Sequence, residues 1–195
     1  MKFEVGVVLS LLCFYAGLLL SNMGSFIKIL CRIPPIYWLL SVFLSKPYII
    51  KGLSMYPTLI TGDHVLFNRL SYTANKPGRG DIVIIDKTIG KQRSLVKRIV
   101  GLPTETIKIN SGIIYINGRE LVERNVTLNF DDAVCSEEWH LGQKEYFVLG
   151  DTRSVSEDSR MFGPIAGEDI KSRAWSIYWP IARVKKIKTT AMDLN

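Results

Sequence analysis

The chain contains 195 residues, 47% of them hydrophobic, which is enough for one domain or for one domain with a membrane anchor. Its formal net charge is +7, but the charge is scattered: the residues after position 50 contain 21 Lys or Arg against 17 Asp or Glu. Because no basic stripe interleaved with aromatic residues occurs, we expect no nucleic-acid partner. Three cysteines without a C-x-x-C pair and only two histidines argue against a disulfide framework or a zinc site, so we expect no metal and no cofactor. Cys135, alone beyond the apolar N-terminal region, is expected to be a free thiol.

The N-terminal region has the composition of a membrane anchor. Residues 5–20 are uncharged and almost wholly apolar, and extension to residue 24 gives 20 residues. At 1.5 Å per residue this length crosses a hydrocarbon core of ~30 Å, so residues 1–24 are predicted to form a transmembrane segment. Lys28 and Arg32 follow, and each would cost roughly 2.5–3.5 kcal/mol at a bilayer centre. The chain is therefore expected to leave the membrane in a short basic loop at residues 25–32.

Residues 33–50 form a second apolar stretch, which we interpret as either a second transmembrane segment or an interfacial segment. With one span or with two, the rule that basic loops stay inside places residues 51–195 on the outer side of the membrane. The predicted location is thus the cell membrane, with an extracytoplasmic domain. The alternative is a cleaved signal peptide at residues 1–24, although no clear small-x-small site follows Leu20.

After residue 60 the hydrophobic pattern has a period of two, which is typical of half-buried strands. Asn117-Gly118 is a strong signal for a two-residue hairpin, and the polar residues 123–145 are predicted to form a loop. No convincing amphipathic helix appears beyond residue 60, so residues 51–195 are predicted to form a mainly β domain of short strands. The predicted strands are 64–67, 81–85, 95–100, 106–109, 112–116, 119–122, 146–149 and 174–179.

The residues offer few groups for catalysis. A Ser-His-Asp arrangement would need His64, which lies in a predicted strand, or His140, which lies in the predicted loop, and neither has a recognisable catalytic setting. Activation of a nucleophile by lysine is the other established solution. At its reference pKa near 10.4, however, a lysine is neutral only about 4 times in 10⁴ at pH 7.

Lys97 has surroundings that could remove this difficulty, because burial against apolar side chains lowers the pKa of an amine. Strand alternation places Lys97 on one face with Leu95 and Ile99, and Arg98 on the other face. The residues alone leave a second interpretation open, in which Lys97 extends from a half-buried strand into solvent.

Four segments of the chain, residues 54–59, 63–69, 80–103 and 146–165, carry a family resemblance. They are similar to the sequence boxes of type I signal peptidases, the membrane-bound serine/lysine peptidases of the S26 class. Residues 54–59, Ser-Met-Tyr-Pro-Thr-Leu, resemble the nucleophile box, and residues 63–69 resemble the strand that follows it. Residues 80–103 resemble the lysine box, and residues 146–165 resemble the last box. The segments occur in the family's order behind an anchor and together cover roughly residues 33–165. The resemblance implies an antiparallel β domain of signal-peptidase type, preceded by one or two transmembrane helices.

The resemblance also implies roles for individual residues. Ser54 would attack the scissile carbonyl, and neutral Lys97 would accept and later return the proton. Ser156 would orient the lysine amine. The expected supporting residues, which form a turn and an ion pair around this site, are Gly150, Asp151, Asp158 and Arg160.

The oxyanion hole departs from one branch of the family. Some members have a second serine two residues before the nucleophile, and this chain has Gly52 there. The backbone amide of Ser54 would remain one donor, with the Gly52 backbone or water as another. Thr152 stands where asparagine is commoner, which is a smaller departure.

The implied substrate pockets are shallow and apolar, suited to the small side chains of an Ala-x-Ala cleavage signal. Plain core packing is the alternative interpretation of the residues concerned, which are Ile50, Met55, Leu59, Leu95 and Val96. The interval 104–145 between the lysine box and the last box is short, so any accessory β subdomain must be small.

The sequence therefore predicts a membrane-anchored endopeptidase that removes signal peptides from translocated preproteins, with signal peptides and the lipid bilayer as partners. Three alternatives remain open at this stage. One is a specialised S26-class peptidase with few substrates, such as a pilus precursor or mitochondrial inner-membrane proteins. The others are a non-catalytic anchored β module, and an anchored binder of lipid or nucleic acid that uses the basic tail around residues 183–188. The sequence leaves the oligomeric state open.

Overall fold

The computed structural model describes residues 45–86, 94–123, 136–189 and 192–194. The chain divides into two compact units, Met1–Leu44 and Ser45–Asn195, and every described residue belongs to the second unit. The predicted transmembrane segment 1–24, the basic loop 25–32, residues 33–44 of the second apolar segment and Cys135 lie outside the described residues. Within the described ranges, the structure contains no helix with the length and apolar character needed to cross a membrane.

The described residues form 13 strands and two short α-helices. The helices are α1 (Ser71–Ala74) and α2 (Ser159–Phe162), and three 3₁₀ turns occupy Arg153–Val155, Gly167–Asp169 and Ile181–Arg183. The strands are β1 (Ser45–Ile49), β2 (His64–Asn68), β3 (Ile82–Ile85), β4 (Leu95–Gly101), β5 (Thr106–Asn110), β6 (Ile113–Ile116), β7 (Arg119–Val122), β8 (Glu137–His140), β9 (Glu145–Leu149), β10 (Ile165–Ala166), β11 (Ile170–Trp179), β12 (Lys185–Lys186) and β13 (Asp193–Leu194).

The strands build two sheets. The first has the order β1-β2-β11-β3-β4-β9-β10, with β12 paired to β11, and the second has the order β13-β7-β6-β5-β8. All the strand pairs that the structure describes are antiparallel. The prediction of a mainly β, antiparallel domain of short strands is therefore confirmed.

The first sheet is buried on both faces. Ile82 packs into a core cluster with Val65, Phe67 and Ile177, whereas the adjacent Val83 packs into a separate cluster on the other face. Burial of both faces explains why β3 is a continuous run of aliphatic residues and not an alternating pattern.

The second sheet packs around its own cluster, which includes Ile107, Ile116 and Phe147. The chain crosses from the first sheet to the second at Gly101, the last residue of β4. A Cβ atom at Gly101 would lie 2.7 Å from the Ile107 side chain and 2.8 Å from the Phe147 Cβ. Glycine is required here because the two sheets approach each other too closely for a side chain.

The turn predicted at Asn117-Gly118 is present and joins β6 to β7. Both residues have positive φ angles, 51° and 81°, as a two-residue hairpin turn of this type requires. Asn and Gly adopt this conformation more readily than other residues, which is why the sequence signal was reliable.

The eight predicted strands are all present. Seven of them end within one residue of the predicted bounds, and β11 begins four residues earlier than predicted, at Ile170. The extension contains Lys171, the small buried Ser172 and Arg173, which hide the hydrophobic alternation in the sequence.

Two predicted boundaries need correction. Residues 137–140, predicted to be part of a loop, form β8 and pair with β5. Trp139 is the one residue of β8 that packs inward, 4.8 Å between ring centroids from Phe147, so the strand carried almost no periodic signal. Residues 45–49, predicted to end the second apolar segment, form β1 and pair with β2, so the β domain begins at Ser45 and not at residue 51.

Candidate active site

A cleft of about 510 Å³ opens between the end of β1 and the start of β4. Ser54 and Lys97 both line this cleft, so the structure brings the two predicted catalytic residues to one site. Val155 and Glu157 line it from the turn that carries Ser156.

Ser54 lies on a tight turn between β1 and β2. Met55 and Leu59, which are 2% and 0% exposed, anchor the turn in the core, and the Leu59 amide donates to the Met55 carbonyl at 2.8 Å. The Tyr56 amide donates to the Leu53 carbonyl at 3.0 Å. These contacts hold the turn from below and leave Ser54 partly exposed at the cleft. Gly52 precedes it with a φ of 90°, a conformation that favours glycine.

Thr152 fastens this turn to the segment that follows β9. Its amide donates to the Ser54 carbonyl at 3.0 Å, and its hydroxyl lies 2.9 Å from the carbonyl oxygens of both Leu53 and Tyr56. The single hydroxyl hydrogen is shared between these two acceptors. The Thr152 side chain thus holds the backbone around the candidate nucleophile.

Lys97 lies on β4 and is buried, with 3% of the residue exposed. Its Nζ donates to the Ser156 Oγ at 3.1 Å. Burial lowers the pKa of Lys97 from its ordinary value, and the negative charges of Asp158 and Glu157 oppose this shift. Of the two interpretations of Lys97 that the sequence left open, the structure excludes the solvent-extended one.

Ser156 is held by a braced turn. The Asp158 carboxylate is fully buried, accepts from the Gly150 amide at 3.0 Å and pairs with the Arg160 guanidinium at 2.9 Å. Arg160 also donates to the Arg153 carbonyl at 2.6 Å. The predicted ion pair between Asp158 and Arg160 is present, and it fixes the backbone on both sides of Ser156.

Gly150 lies where the turn that carries Ser54 comes closest to the turn that carries Ser156. A Cβ atom here would lie 2.6 Å from the Ser54 carbonyl oxygen and would also collide with the Ser156 hydroxyl. The absence of a side chain at Gly150 therefore lets the turn that carries Ser54 and the turn that carries Ser156 meet.

Arg98 and Asp151 form a buried ion pair that the sequence analysis did not predict. The Arg98 Nε and Nη2 donate to the two Asp151 oxygens at 2.7 and 2.6 Å, and the side chains are 2% and 1% exposed. The Thr58 hydroxyl bonds to Asp151, and Arg98 also donates to the Gly80 carbonyl at 3.0 Å. The pair thus joins the nucleophile box, the lysine box and the last box. A charged residue inside a buried strand requires a partner of opposite charge. The position of Arg98 within the apolar run of β4 was therefore the signal in the sequence that could have predicted this pair.

The predicted pocket residues separate into two groups. Ile50, Met55, Leu95 and Val96 line the cleft. Leu59 instead is completely buried in the core cluster beneath it, so the core-packing interpretation holds for this residue. Leu59 anchors the end of the turn that carries Ser54 in this core, and it does not line the cleft.

The histidines lie elsewhere. His64 contacts the ring of Tyr178 with 5.5 Å between ring centroids, and His140 lies at the exposed end of β8, 3.0 Å from the Thr106 hydroxyl. The expectation that neither histidine is catalytic agrees with these positions.

The cleft also presents two strand edges. Residues 95–97 of β4 pair with β3 along one edge, and the described pairing of β4 with β9 begins only at Arg98. On the opposite side of the cleft, β1 is the terminal strand of its sheet. An extended peptide could add to such edges by main-chain hydrogen bonds.

Comparison with known proteins shows that this protein is a peptidase. A family model described as "Signal peptidase, peptidase S26" matches residues 23–179. The chain therefore belongs to the signal peptidase family, peptidase S26. The family predicted from the four boxes is confirmed, and the protein is a serine endopeptidase.

Two sequence relatives support this assignment. The chain is 34% identical over 158 residues to signal peptidase I P of Bacillus subtilis subsp. natto, covering 75% of this chain and 83% of that protein. It is 34% identical over 155 residues to signal peptidase I T of Bacillus subtilis strain 168, covering 75% and 80%. Among solved structures, a signal peptidase I from Enterococcus faecalis V583 is 30% identical, with a TM-score of 0.43, and covers 51% of this chain and 97% of that one.

Proposed function

We propose that this protein removes N-terminal signal peptides from translocated preproteins, with Ser54 as the nucleophile and Lys97 as the general base. The observation that carries the proposal is the buried Lys97 amine, whose pKa is lowered by burial and which lines the same cleft as Ser54. A neutral amine beside a serine can perform the chemistry for which other peptidases use histidine.

In the acylation step, the Ser54 Oγ attacks the carbonyl carbon of the scissile peptide bond. Its proton passes to the Lys97 Nζ, which Ser156 holds in place. When the tetrahedral intermediate collapses, the C–N bond breaks and the ammonium of Lys97 gives the proton to the leaving amine. The mature protein leaves with a new amino terminus, and the signal peptide remains as an ester on Ser54.

In the deacylation step, neutral Lys97 takes a proton from a water molecule, which attacks the ester carbonyl. The proton then returns to the Ser54 Oγ as the signal peptide leaves with a free carboxylate. The negative oxygen that develops in both steps would be stabilised by the Ser54 amide, with the exposed backbone at Gly52 as a second source of hydrogen bonds.

The substrate would bind as an extended strand between the free edges of β1 and β4. Ile50, Met55, Leu95 and Val96 line the cleft with apolar side chains. These pockets suit small residues before the scissile bond, as in an Ala-x-Ala signal. The extended form also exposes the scissile bond, which a helical substrate would not do.

The apolar segments before residue 45 support a membrane location for the protein, with the β domain on the extracytoplasmic side. A signal peptide remains in the bilayer after translocation, so an anchored enzyme would meet its substrate at the membrane surface. This arrangement combines the predicted segment 1–24 and the part of the second apolar segment that precedes the β domain, residues 33–44, with the substrate class of the family.

The test is cleavage of a labelled preprotein by the full chain in detergent, followed by sequencing of the new amino terminus. We expect wild-type protein to cut after a small residue, and Ser54→Ala and Lys97→Ala to lose at least about 10³-fold in rate. Lys108→Ala, at an exposed lysine on β5, serves as the matched control and should retain the wild-type rate. Undiminished cleavage by Lys97→Ala would overturn the role of Lys97 as the base, and undiminished cleavage by Ser54→Ala would overturn the role of Ser54 as the nucleophile.

A further inference from the structure

A second cavity of about 500 Å³ continues the groove beyond the catalytic cleft. Tyr48 of β1 and Ser94, just before β4, line both cavities. The two strand edges that frame the cleft therefore lead directly into the second cavity. Its floor includes Ile84 and the buried Ser172, which face each other as register partners of β3 and β11.

The described residues that line the second cavity carry an excess of positive charge. Lys46, Arg69 and Lys171 line it, against a single carboxylate among its lining residues, that of Asp86. All four residues are exposed. The Lys171 Nζ donates to the Glu168 backbone carbonyl at 2.8 Å, a neutral acceptor that adds no negative charge to the cavity. The cavity is thus suited to a negatively charged group.

The order of residues along β4 fixes which part of a substrate would reach this cavity. In the proposed mechanism the scissile bond would lie beside Lys97, and Leu95 and Val96, which line the same cleft, would contact the small residues before it. Ser94 lies three residues upstream of Lys97, which is roughly 10 Å along a strand at about 3.3 Å per residue. In that arrangement the second cavity would lie beyond the small-residue pockets, on the side of the signal peptide and not of the mature protein.

We propose that the second cavity is a substrate subsite for an acidic side chain about four to six residues before the scissile bond. The inference rests on the proposed function and adds a charge preference to it. Lys46, Arg69 and Lys171 attract the substrate carboxylate, and the strand edges of β1 and β4 hold the backbone that delivers it. A basic residue at the same substrate position would meet the three like charges.

The expected preference is modest, because the three cations are exposed. Exposed ion pairs contribute little individually, so we expect kcat/KM to be roughly threefold to tenfold higher for an acidic residue than for lysine. The ratio should fall toward one in 1 M salt, where the Debye length is about 3 Å.

The experiment uses the full chain in detergent and a series of synthetic signal-peptide substrates with one cleavage site. Asp, Gln or Lys is placed in turn at the fourth, fifth and sixth residues before the scissile bond, and kcat/KM is measured for each. The same series is run with the Lys46→Gln/Arg69→Gln/Lys171→Gln variant, which should lose the ratio of acidic to basic substrates. Arg69→Glu alone should reverse the ratio, and the control Lys108→Gln should leave it unchanged. Thermal unfolding checks that each variant is folded.

The outcomes separate this inference from the proposed function. Equal rates for Asp, Gln and Lys at all three positions would overturn the subsite while leaving the peptidase function intact. A preference that persists in the triple variant would also overturn it. Cleavage of none of the peptides, the Gln series included, would contradict the proposed function itself.

A lipid ligand is the remaining outcome that would overturn the subsite. In that case the peptide series would show no charge preference, whereas the triple variant would lose cosedimentation with phosphatidylglycerol vesicles relative to phosphatidylcholine vesicles.

Discussion

The Nζ of Lys97 lies 3.1 Å from the Oγ of Ser156, and the two residues are only 3% and 7% exposed. A lysine side chain has several freely rotating bonds, so one hydrogen bond at its end decides where the amine lies. Ser156 is in turn fixed by the turn that Asp158 and Arg160 brace. Ser156 is therefore a positioning residue for the proposed base.

Removal of this hydroxyl should slow catalysis without unfolding the protein. We expect Ser156→Ala to lower kcat by about 10- to 100-fold, a part of the 10²–10⁴-fold that general base catalysis contributes, with a smaller change in KM. Ser154→Ala, at the exposed serine in the 3₁₀ turn just before Ser156, is the matched control. A Ser156→Ala enzyme with wild-type kcat would show that the amine is held by other means.

The rate should depend on pH through Lys97. The base must be neutral, so kcat/KM rises with pH through the pKa of Lys97, which burial has lowered. The Glu157 carboxylate raises this pKa, since it stabilises the ammonium form. Glu157→Gln should therefore shift the acid limb of the pH profile to lower pH. Glu138→Gln on β8 should leave the profile in place, and a shift to higher pH in Glu157→Gln would contradict the assignment.

Burial of Lys97 should also reduce the stability of the fold. Because its pKa is lower in the folded state, the unfolded chain binds more protons between the folded pKa and about 10.4, and stability falls as the pH falls through this window. Lys97→Met should thus raise the free energy of unfolding at pH 7, by up to about 1.4 kcal/mol for each pH unit of that window. Activity should be lost at the same time.

The measurement for Lys97→Met is urea unfolding at several pH values. The advantage of the variant should shrink toward zero as the pH approaches 10.4. Lys108→Met, at an exposed site, should show no pH-dependent difference from wild type. An advantage of Lys97→Met that does not change with pH would mean that packing, and not the charge, is responsible.

The buried pair of Arg98 and Asp151 should be essential for stability. Arg98→Met leaves the Asp151 carboxylate buried without its partner, and such a change costs about 3–5 kcal/mol. The double variant Arg98→Met/Asp151→Leu removes both charges and should recover part of this loss. Urea unfolding of both variants tests the prediction. If Arg98→Met lowered the free energy of unfolding by less than about 1 kcal/mol, the pair would contribute no more to stability than an exposed ion pair, and the prediction would be wrong.

Gly150 should tolerate no side chain. In Gly150→Ala the new methyl group must displace either the Ser54 carbonyl or the Ser156 hydroxyl, so kcat should fall sharply and stability should drop by about 1–3 kcal/mol. Gly78→Ala is the control, because a Cβ atom there would lie 3.7 Å from its nearest neighbour. An active and stable Gly150→Ala protein would show that the two turns can move apart without cost.

The sequence by itself determined the mainly β class, the strands with clear alternation or a long aliphatic run, and the Asn117-Gly118 turn. It also determined the family, because the four boxes are local patterns of residues in a fixed order. Local patterns are sufficient where the physical cause is local, such as the φ angles of a turn or the period of a strand. β8 escaped prediction because only Trp139 faces inward, and its pairing with β5 is not a local property.

The tertiary structure alone decided how the boxes meet. That Lys97 is buried, that Ser156 holds it, and that Arg98 pairs with Asp151 depend on contacts between residues more than 50 positions apart. Tertiary packing also distinguished Leu59, which is a core residue, from the four predicted pocket residues that line the cleft. A sequence motif states which groups are available for catalysis. Whether a lysine becomes a base depends on the removal of water around it, which only the packing of the whole domain can bring about.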